Sequence, residues 1–102
     1  MLVGVALFEL HIEFAQSLKD KRMVVRSLVD KLRRRFALSA SEVGLHDLHQ
    51  IARIGLTFIA LDHATADAKF SKIQTFIESN TDATLSGWIS EKLDFDAAID
   101  FG

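Results

Sequence analysis

The chain contains no cysteine, no proline and no tyrosine. The lack of cysteine excludes a disulfide framework, thiolate ligands for a metal and a cysteine nucleophile. Because proline and low-complexity stretches are also absent, nothing in the sequence marks a linker between domains. We therefore predict one domain over residues 1–102, in which residues 95–102 form a C-terminal tail.

Long uncharged runs are missing as well. No stretch approaches the roughly 20 apolar residues that a membrane-spanning helix needs. The N-terminus from Met1 to Phe8 is apolar, but it has no basic leader of the kind that opens a signal peptide. We expect a soluble, cytoplasmic protein that does not contact a membrane.

The sequence does contain a concentration of positive charge. Eight of the twelve Lys and Arg residues lie between Lys19 and Arg35, and only Asp20 and Asp30 oppose them, so this segment has a net charge of +6. The rest of the chain holds four basic and twelve acidic residues, a net charge of −8. Since the local sign of charge decides what a surface attracts, a basic segment on an acidic body favours a polyanionic partner, with RNA as our leading candidate.

The hydrophobic pattern predicts the order strand, helix, strand, strand, helix, strand. The strands are expected over residues 2–13, 37–44, 51–61 and 83–95. Ser17 has the sequence context of an N-cap for the first helix, which continues to Phe36, and Asp62 competes with Thr65 to cap the second. Two split β-α-β units predict a ferredoxin-like α+β sandwich, in which both helices cover one face of a four-stranded antiparallel sheet.

The other face of this sheet is expected to be apolar and exposed. The residues expected there are Val3, Val5, Leu7, Ile59 and Leu61, with Trp88 as a further candidate. An exposed patch of this kind usually has a partner. We expect self-association into a homodimer through this face, with the acidic and apolar tail from Asp94 to Phe101 as an alternative cover.

The basic segment and the residues after it resemble a known family. The resemblance rests on the runs Ser17-Leu18-Lys19-Asp20-Lys21-Arg22, Arg26-Ser27-Leu28, Leu32-Arg33-Arg34-Arg35-Phe36 and Ser41-Glu42-Val43, and on Asp47-Leu48 and Gln50. These residues are similar to those of the bacterial YlxP-like family, a domain of unknown function. The resemblance implies a ferredoxin-like fold and, because genes of that family often lie near translation genes, an association with RNA or the ribosome. It supplies no catalytic residues.

Spacings of three, four and seven residues place most of the basic side chains in one stripe on the first helix. The predicted phosphate-binding residues are Lys19, Arg22, Arg26 and Arg33 in the stripe and Arg34 on the outer face. Contacts of this kind give affinity with little sequence choice. The alternative is an ordinary solvated helix surface. Lys21 and Arg35 point nearer the apolar side, where their stems are expected to cover the core edge while their charges reach the surface.

Base recognition by the sheet is not expected. RNA-recognition motifs, which share this topology, stack bases on aromatic side chains of the sheet. The run from Ile54 to Phe58 lacks the required aromatic pair, and the chain has no tyrosine. Recognition of RNA shape or backbone through the first helix is the remaining route.

We expect no enzymatic activity and no cofactor. The sequence has no Gly-rich phosphate loop, no nucleophile elbow and no HExxH motif. We also expect no metal site. His46 and His49 are the nearest approach to a ligand pattern, and zinc would need Asp47 or Glu42 to complete the set. A small-ligand regulatory domain is a further possible function, because that class of domain has no sharp sequence motif. The principal alternative to RNA binding is a homodimeric protein-interaction module with no nucleic-acid ligand.

Overall fold

A computed structural model describes residues 1–95 of the protein. The elements follow the predicted order, and their ends fall within two residues of the predicted ones. They are β1 (Leu2–His11), α1 (Leu18–Arg35), β2 (Ser39–Gly44), β3 (Ile51–Ala60), α2 (His63–Ser79) and β4 (Thr84–Asp94). Of the predicted tail, only Phe95 is among the described residues, and it is exposed. The predicted cover of the sheet by the tail concerns residues outside the described part of the chain.

The four strands form one antiparallel sheet in the order β2-β3-β1-β4. Strand β1 pairs with β3 from Leu2 opposite Ala60 to His11 opposite Ile51, so the two central strands are fully matched. Together with the βαββαβ order of elements, this arrangement confirms the predicted ferredoxin-like α+β fold. Strands β2 and β4 form the two edges of the sheet.

One face of the sheet and both helices share a single core. Alternate residues of β1 and β3 are buried, and they join buried residues of α1 and α2 in one cluster. Its largest fully buried apolar side chains are Phe8, Leu10, Ile12, Leu28, Leu32, Ile54, Ile73 and Ile77. Burial of each such side chain contributes about 1.5–3 kcal/mol relative to leaving it exposed. The helices are therefore held on the sheet by apolar contact, and their outward faces are free for other uses.

Both helices begin at the predicted caps. The Asp20 amide donates to the Ser17 hydroxyl over 3.1 Å, and the Asp20 carboxylate accepts from the Gln16 amide over 3.0 Å. At α2, Asp62 is the cap, because its carboxylate accepts from the Thr65 amide over 2.7 Å. Hydrogen bonds from the Thr65 backbone and side chain stabilise the ionised form and lower the pKa of Asp62 below its ordinary value.

The placement of Trp88 on the exposed sheet face is wrong. Its ring stacks on Phe8 with centroids 5.7 Å apart and meets Phe70 edge-on at 6.1 Å, on the side covered by the helices. The cause is a β-bulge: Leu10 lies opposite Leu85, but Glu9 lies opposite Gly87, so Ser86 is an extra residue. One inserted residue reverses the alternation of side chains. Leu85 and Trp88 therefore both pack against the core.

Candidate nucleic-acid interface

Helix α1 presents a row of cations that the other described residues, 1–95, leave free. The side chains of Lys19, Arg22, Arg26 and Arg34 are exposed, and within residues 1–95 none of them makes a hydrogen bond or an ion pair. Four of the five predicted phosphate-binding residues therefore present a charge that no acidic residue of the described chain neutralises.

Arg33, the fifth predicted residue, is already engaged. Its guanidinium donates to the backbone oxygen of Ala40 over 2.6 Å, and Asp30 lies 3.9 Å away. The side chain is half-exposed, so its remaining donors face solvent. Arg33 thus ties the end of α1 to the edge strand β2 and also contributes its charge to the stripe.

A groove runs between α1 and β2 along this row of cations. The volume of this groove is about 230 Å³. We call it the α1–β2 groove, and the residues that line it are Arg22, Val25, Arg26, Val29, Arg33, Ser41 and Glu42. Three of the predicted phosphate-binding residues therefore share one concave surface with an apolar floor.

Lys21 does not reach the surface, which corrects the expectation that its charge would. It is 1% exposed, and its ammonium donates to the carbonyl oxygens of Leu45 at 2.8 Å, Ile51 at 3.2 Å and His46 at 3.4 Å. The Glu42 carboxylate lies 2.9 Å away as its counter-charge. Since the three N–H donors of the ammonium serve carbonyls, Glu42 Oε2 is buried with no directed hydrogen bond among the described residues.

The contacts of Lys21 fix the segment between β2 and β3. Leu45 has a φ of 59°, a left-handed conformation that is costly for a side chain of this kind. Its carbonyl is the nearest of the three carbonyl acceptors of Lys21. Gln50 secures the other end of the segment, because its amide donates to the carbonyls of Glu13 at 3.1 Å and Ala15 at 3.3 Å. The sequence did not predict the carbonyl contacts of Lys21 or Gln50, because both sets of contacts join distant parts of the chain.

Other basic residues hold the scaffold together. Lys31 donates to the Asn80 carbonyl at 3.3 Å, and Lys92 lies 2.8 Å from the Asp67 carboxylate. The Arg35 guanidinium lies 5.5 Å from the Phe36 ring centroid. Lys69 donates to the Ala37 carbonyl at 2.8 Å, and partial burial lowers its pKa. These engaged cations contrast with the free ones on α1.

The histidines singled out from the sequence are exposed. His46 and His49 lie in the β2–β3 segment, where His46 contributes its backbone oxygen to the cluster around Lys21. In the part of the chain that the structure describes, no group of three or more His, Cys, Asp or Glu side chains is placed to hold a metal ion. Nor does any helix within residues 1–95 have the length and apolar character needed to cross a membrane.

The sheet face opposite the helices is apolar and uncovered. We call it the open sheet face, and its exposed apolar residues are Val5, Leu7, Ile59, Leu61, Ile89 and Leu93. Ile59 and Ile89 are each 67% exposed. The face also carries Arg53, which donates through two nitrogens to one oxygen of Glu9 at 2.9 and 2.6 Å. The exposed apolar residues that the described strands place on this face are aliphatic, so they offer no ring on which a base would stack.

Comparisons with known proteins identify chains that are similar to this one. The chain is 28% identical to the uncharacterized protein YlxP of Bacillus subtilis (strain 168) over 78 residues, which cover 76% of this chain and 85% of YlxP. Among solved structures, At3g17210 from Arabidopsis thaliana aligns with a TM-score of 0.46 and 11% identity over 95% of this chain and 98% of its own. The sequence pattern of a protein family of unknown function, DUF503, matches residues 3–88. The resemblance to YlxP-like proteins is thereby confirmed, and the chain belongs to the DUF503 family.

Proposed function

We propose that the protein is a non-enzymatic, cytoplasmic, RNA-associated factor that docks α1 on phosphates, with ribosomal RNA in a ribosomal subunit as the partner. The observation that carries the proposal is the set of four free cations on α1. Lys19, Arg22, Arg26 and Arg34 are exposed and unpaired within residues 1–95, on a chain whose net charge is −2. In nucleic-acid-binding proteins, exposed Arg and Lys side chains neutralise the phosphate backbone.

The cations are carried on a rigid support. Buried Lys21 joins α1 to the β2–β3 segment, Lys31 joins it to the end of α2, and Arg33 joins it to β2. A helix of 18 residues is about 27 Å long, so the row spans several phosphates of a nucleic-acid strand. A preorganised row loses less freedom on binding than charges on a mobile tail.

The geometry favours recognition of the backbone over recognition of bases. Proteins that read single-stranded RNA stack bases on exposed rings. Here Trp88, the single tryptophan, is turned toward Phe8 and Phe70. We therefore expect the protein to prefer structured RNA and to show little preference for sequence.

Binding to ribosomal subunits and to a structured RNA across a salt series tests this proposal. The logarithm of the affinity is expected to fall linearly with that of the salt concentration, with a slope that corresponds to several released counterions. A double charge reversal, Arg22→Glu with Arg26→Glu, is expected to abolish binding and leave the melting temperature unchanged. Arg33 is left intact because its bond to Ala40 supports the fold.

The matched control compares two single reversals that change the net charge equally. Arg26→Glu alters the free row on α1, whereas Lys72→Glu alters an exposed cation of α2 that makes no hydrogen bond or ion pair within residues 1–95. We expect Arg26→Glu to weaken binding at least tenfold and Lys72→Glu to weaken it much less. Equal losses from both reversals, or no binding by the unaltered protein even at low salt, refute the proposal.

The open sheet face favours a second candidate function, a homodimeric protein-interaction module. A second copy is the occupant that fits, because the charges of Arg53 and Glu9 already satisfy each other. Thr57 likewise donates its hydroxyl to the Gly4 carbonyl at 2.9 Å. A face that exposes apolar residues and on which Arg53, Glu9 and Thr57 are paired within the chain suits an equally apolar partner, as two-fold self-association provides.

The oligomeric state in solution tests this second candidate. The mass measured by light scattering is expected to be that of two chains and to fall to one chain in the Ile59→Glu/Ile89→Glu variant. Leu48→Glu is the control, since Leu48 is 51% exposed but lies in the β2–β3 segment and away from the open sheet face. A monomer at concentrations well above micromolar argues against the homodimer and leaves the RNA proposal intact.

A further inference from the structure

We propose that the α1–β2 groove binds the sugar–phosphate backbone of RNA and that Glu42 selects ribose by accepting a hydrogen bond from a 2′-hydroxyl group. This inference rests on the proposed RNA association and adds to it a site and a means of distinguishing RNA from DNA. The groove presents cations and one carboxylate to the same ligand, and this combination indicates a ligand that has both an anionic group and a hydroxyl donor.

The cations line one wall of the groove. Arg22 and Arg26 are exposed and unpaired in the described chain, and Arg33 is fixed by its 2.6 Å bond to the Ala40 carbonyl. A guanidinium has five donors and no acceptor, so this wall recognises an anion such as a phosphate. Val25 and Val29 form an apolar floor on which the carbon skeleton of a sugar is able to rest.

Glu42 supplies the one acidic side chain of the groove. A free carboxylate among arginines would repel a phosphate, but the buried ammonium of Lys21 lies 2.9 Å from Glu42 Oε2 and balances its charge. The Glu42 side chain is 15% exposed and lines the groove beside Arg22 and Arg26. An ionised carboxylate only accepts hydrogen bonds. The groove therefore suits a ligand that carries a hydroxyl donor close to its anionic group.

Ribose phosphate has this chemistry and deoxyribose phosphate lacks it. The 2′-hydroxyl is the group by which a protein distinguishes RNA from DNA. The size of the groove agrees with a polymer, since about 230 Å³ is less than the roughly 300–1,000 Å³ that pockets for whole small molecules occupy. A strand that passes through the groove would expose its sugar edge to Glu42 and its phosphates to Arg22 and Arg26.

The experiment measures binding of the intact protein to an RNA hairpin, to the DNA hairpin of the same sequence, and to RNA hairpins with single 2′-O-methyl substitutions. A methylated position keeps the RNA helix shape but loses the hydroxyl donor. We expect RNA to bind about tenfold more tightly than DNA, in keeping with one hydrogen bond to a charged acceptor. One or two methylated positions are expected to remove most of that difference.

Glu42→Gln and Glu42→Ala test the residue, and Glu78→Ala, at an exposed glutamate of α2, is the control. We expect folded Glu42→Ala protein to bind RNA and DNA with similar affinity and the control to keep the preference for RNA. If a Glu42 variant fails to fold, the methylated hairpins decide the question with unaltered protein. Equal binding of RNA and DNA overturns this inference but not the proposed function. The same holds if RNA is preferred but neither methylation nor any folded Glu42 variant reduces that preference. Failure to bind either nucleic acid overturns both.

Discussion

The ammonium of Lys21 lies 2.9 Å from the carboxylate of Glu42, at a position where the lysine is 1% exposed. Burying two charges costs more than their attraction returns unless hydrogen bonds satisfy the remaining groups. Three carbonyl oxygens, from Leu45, His46 and Ile51, meet that need. Lys21 therefore joins α1 to both ends of the segment between β2 and β3, and it neutralises the one acidic residue of the α1–β2 groove.

Replacement of Lys21 by methionine is expected to be strongly destabilising. Lys21→Met leaves the Glu42 carboxylate and three partly buried carbonyls without their cation, and loss of one partner from a buried ion pair costs about 3–5 kcal/mol. Urea denaturation of the variant and the unaltered protein measures the difference. Since a domain of this size is stable by only about 5–15 kcal/mol, the expected loss is a large fraction of the free energy of unfolding.

The double variant Lys21→Met/Glu42→Gln separates the charge effect from the packing effect. A neutral glutamine needs no counter-charge, so we expect it to recover part of the stability that Lys21→Met loses. The three unsatisfied carbonyls remain, so recovery is expected to be incomplete. Additive losses from the two single changes would show that Lys21 and Glu42 do not interact.

A second stability prediction concerns Gly4, which faces Phe58 across the central strands. A Cβ atom at Gly4 would lie 2.5 Å from Phe58 Cζ. The Phe58 ring cannot easily move, because its centroid lies 4.9 Å from that of Phe70 and 4.6 Å from the Lys69 ammonium. Gly4→Ala is therefore expected to cost about 1–3 kcal/mol through overpacking.

Gly87→Ala is the control for Gly4→Ala, because within residues 1–95 no atom beyond its own chain neighbours lies within 4 Å of a Cβ added at Gly87. Alanine restricts the unfolded chain, and at a position without strain this stabilises a protein by about 0.4–1 kcal/mol. We expect thermal denaturation to show a lower melting temperature for Gly4→Ala and an equal or higher one for Gly87→Ala. Similar melting temperatures for the two variants would contradict the argument.

Local signals in the sequence were sufficient for the fold and for most of the basic row. The caps at Ser17 and Asp62 depend on residues three positions away, and the stripe on α1 depends only on helical spacing. Alternation of apolar residues in β1 and β3 located the core because those strands pair without interruption. These features are determined by neighbours along the chain, so a single sequence reveals them.

The features that the sequence did not reveal depend on distant contacts. The burial of Lys21 requires carbonyls more than twenty residues away, whose positions follow from the path of the β2–β3 segment. The position of Lys21 on the apolar side of α1 was a usable signal. A lysine whose ammonium reaches solvent and one whose ammonium is buried nevertheless look alike in sequence. Trp88 was misplaced because Ser86 is an extra residue, and nothing local distinguishes a bulge from a regular strand.

The cap of α2 predicts how stability changes in acid. The Thr65 hydrogen bonds lower the pKa of Asp62 below its ordinary value of 3.8. The stabilisation that this ionised cap provides is therefore fully present above pH 3.8 and is lost as the pH falls through the lower pKa of the folded state. Asp62→Asn keeps a capping oxygen but does not titrate there. We expect the stability of the unaltered protein to fall more steeply below pH 3.8 than that of Asp62→Asn, and parallel curves would contradict this.

Arg33 and Arg34 are adjacent in sequence, but only Arg33 is expected to support the fold. Arg33 donates to the Ala40 carbonyl of the edge strand β2, whereas Arg34 makes no hydrogen bond or ion pair in the described chain. Because Arg33 is half-exposed, we expect Arg33→Met to cost about 1 kcal/mol, near the value of an ordinary hydrogen bond. Arg34→Met is expected to leave stability unchanged, since exposed substitutions away from such contacts usually have little effect.

Denaturation of the two methionine variants in parallel measures this difference, because each removes one positive charge from neighbouring positions. Both variants are expected to weaken RNA binding, since both remove a cation that faces solvent, but only Arg33→Met is expected to unfold at a lower urea concentration. Equal stability of the two variants would mean that the bond to Ala40 contributes nothing measurable. In that case Arg33 belongs with the free cations, and it should be reversed together with Arg22 and Arg26 when RNA binding is tested.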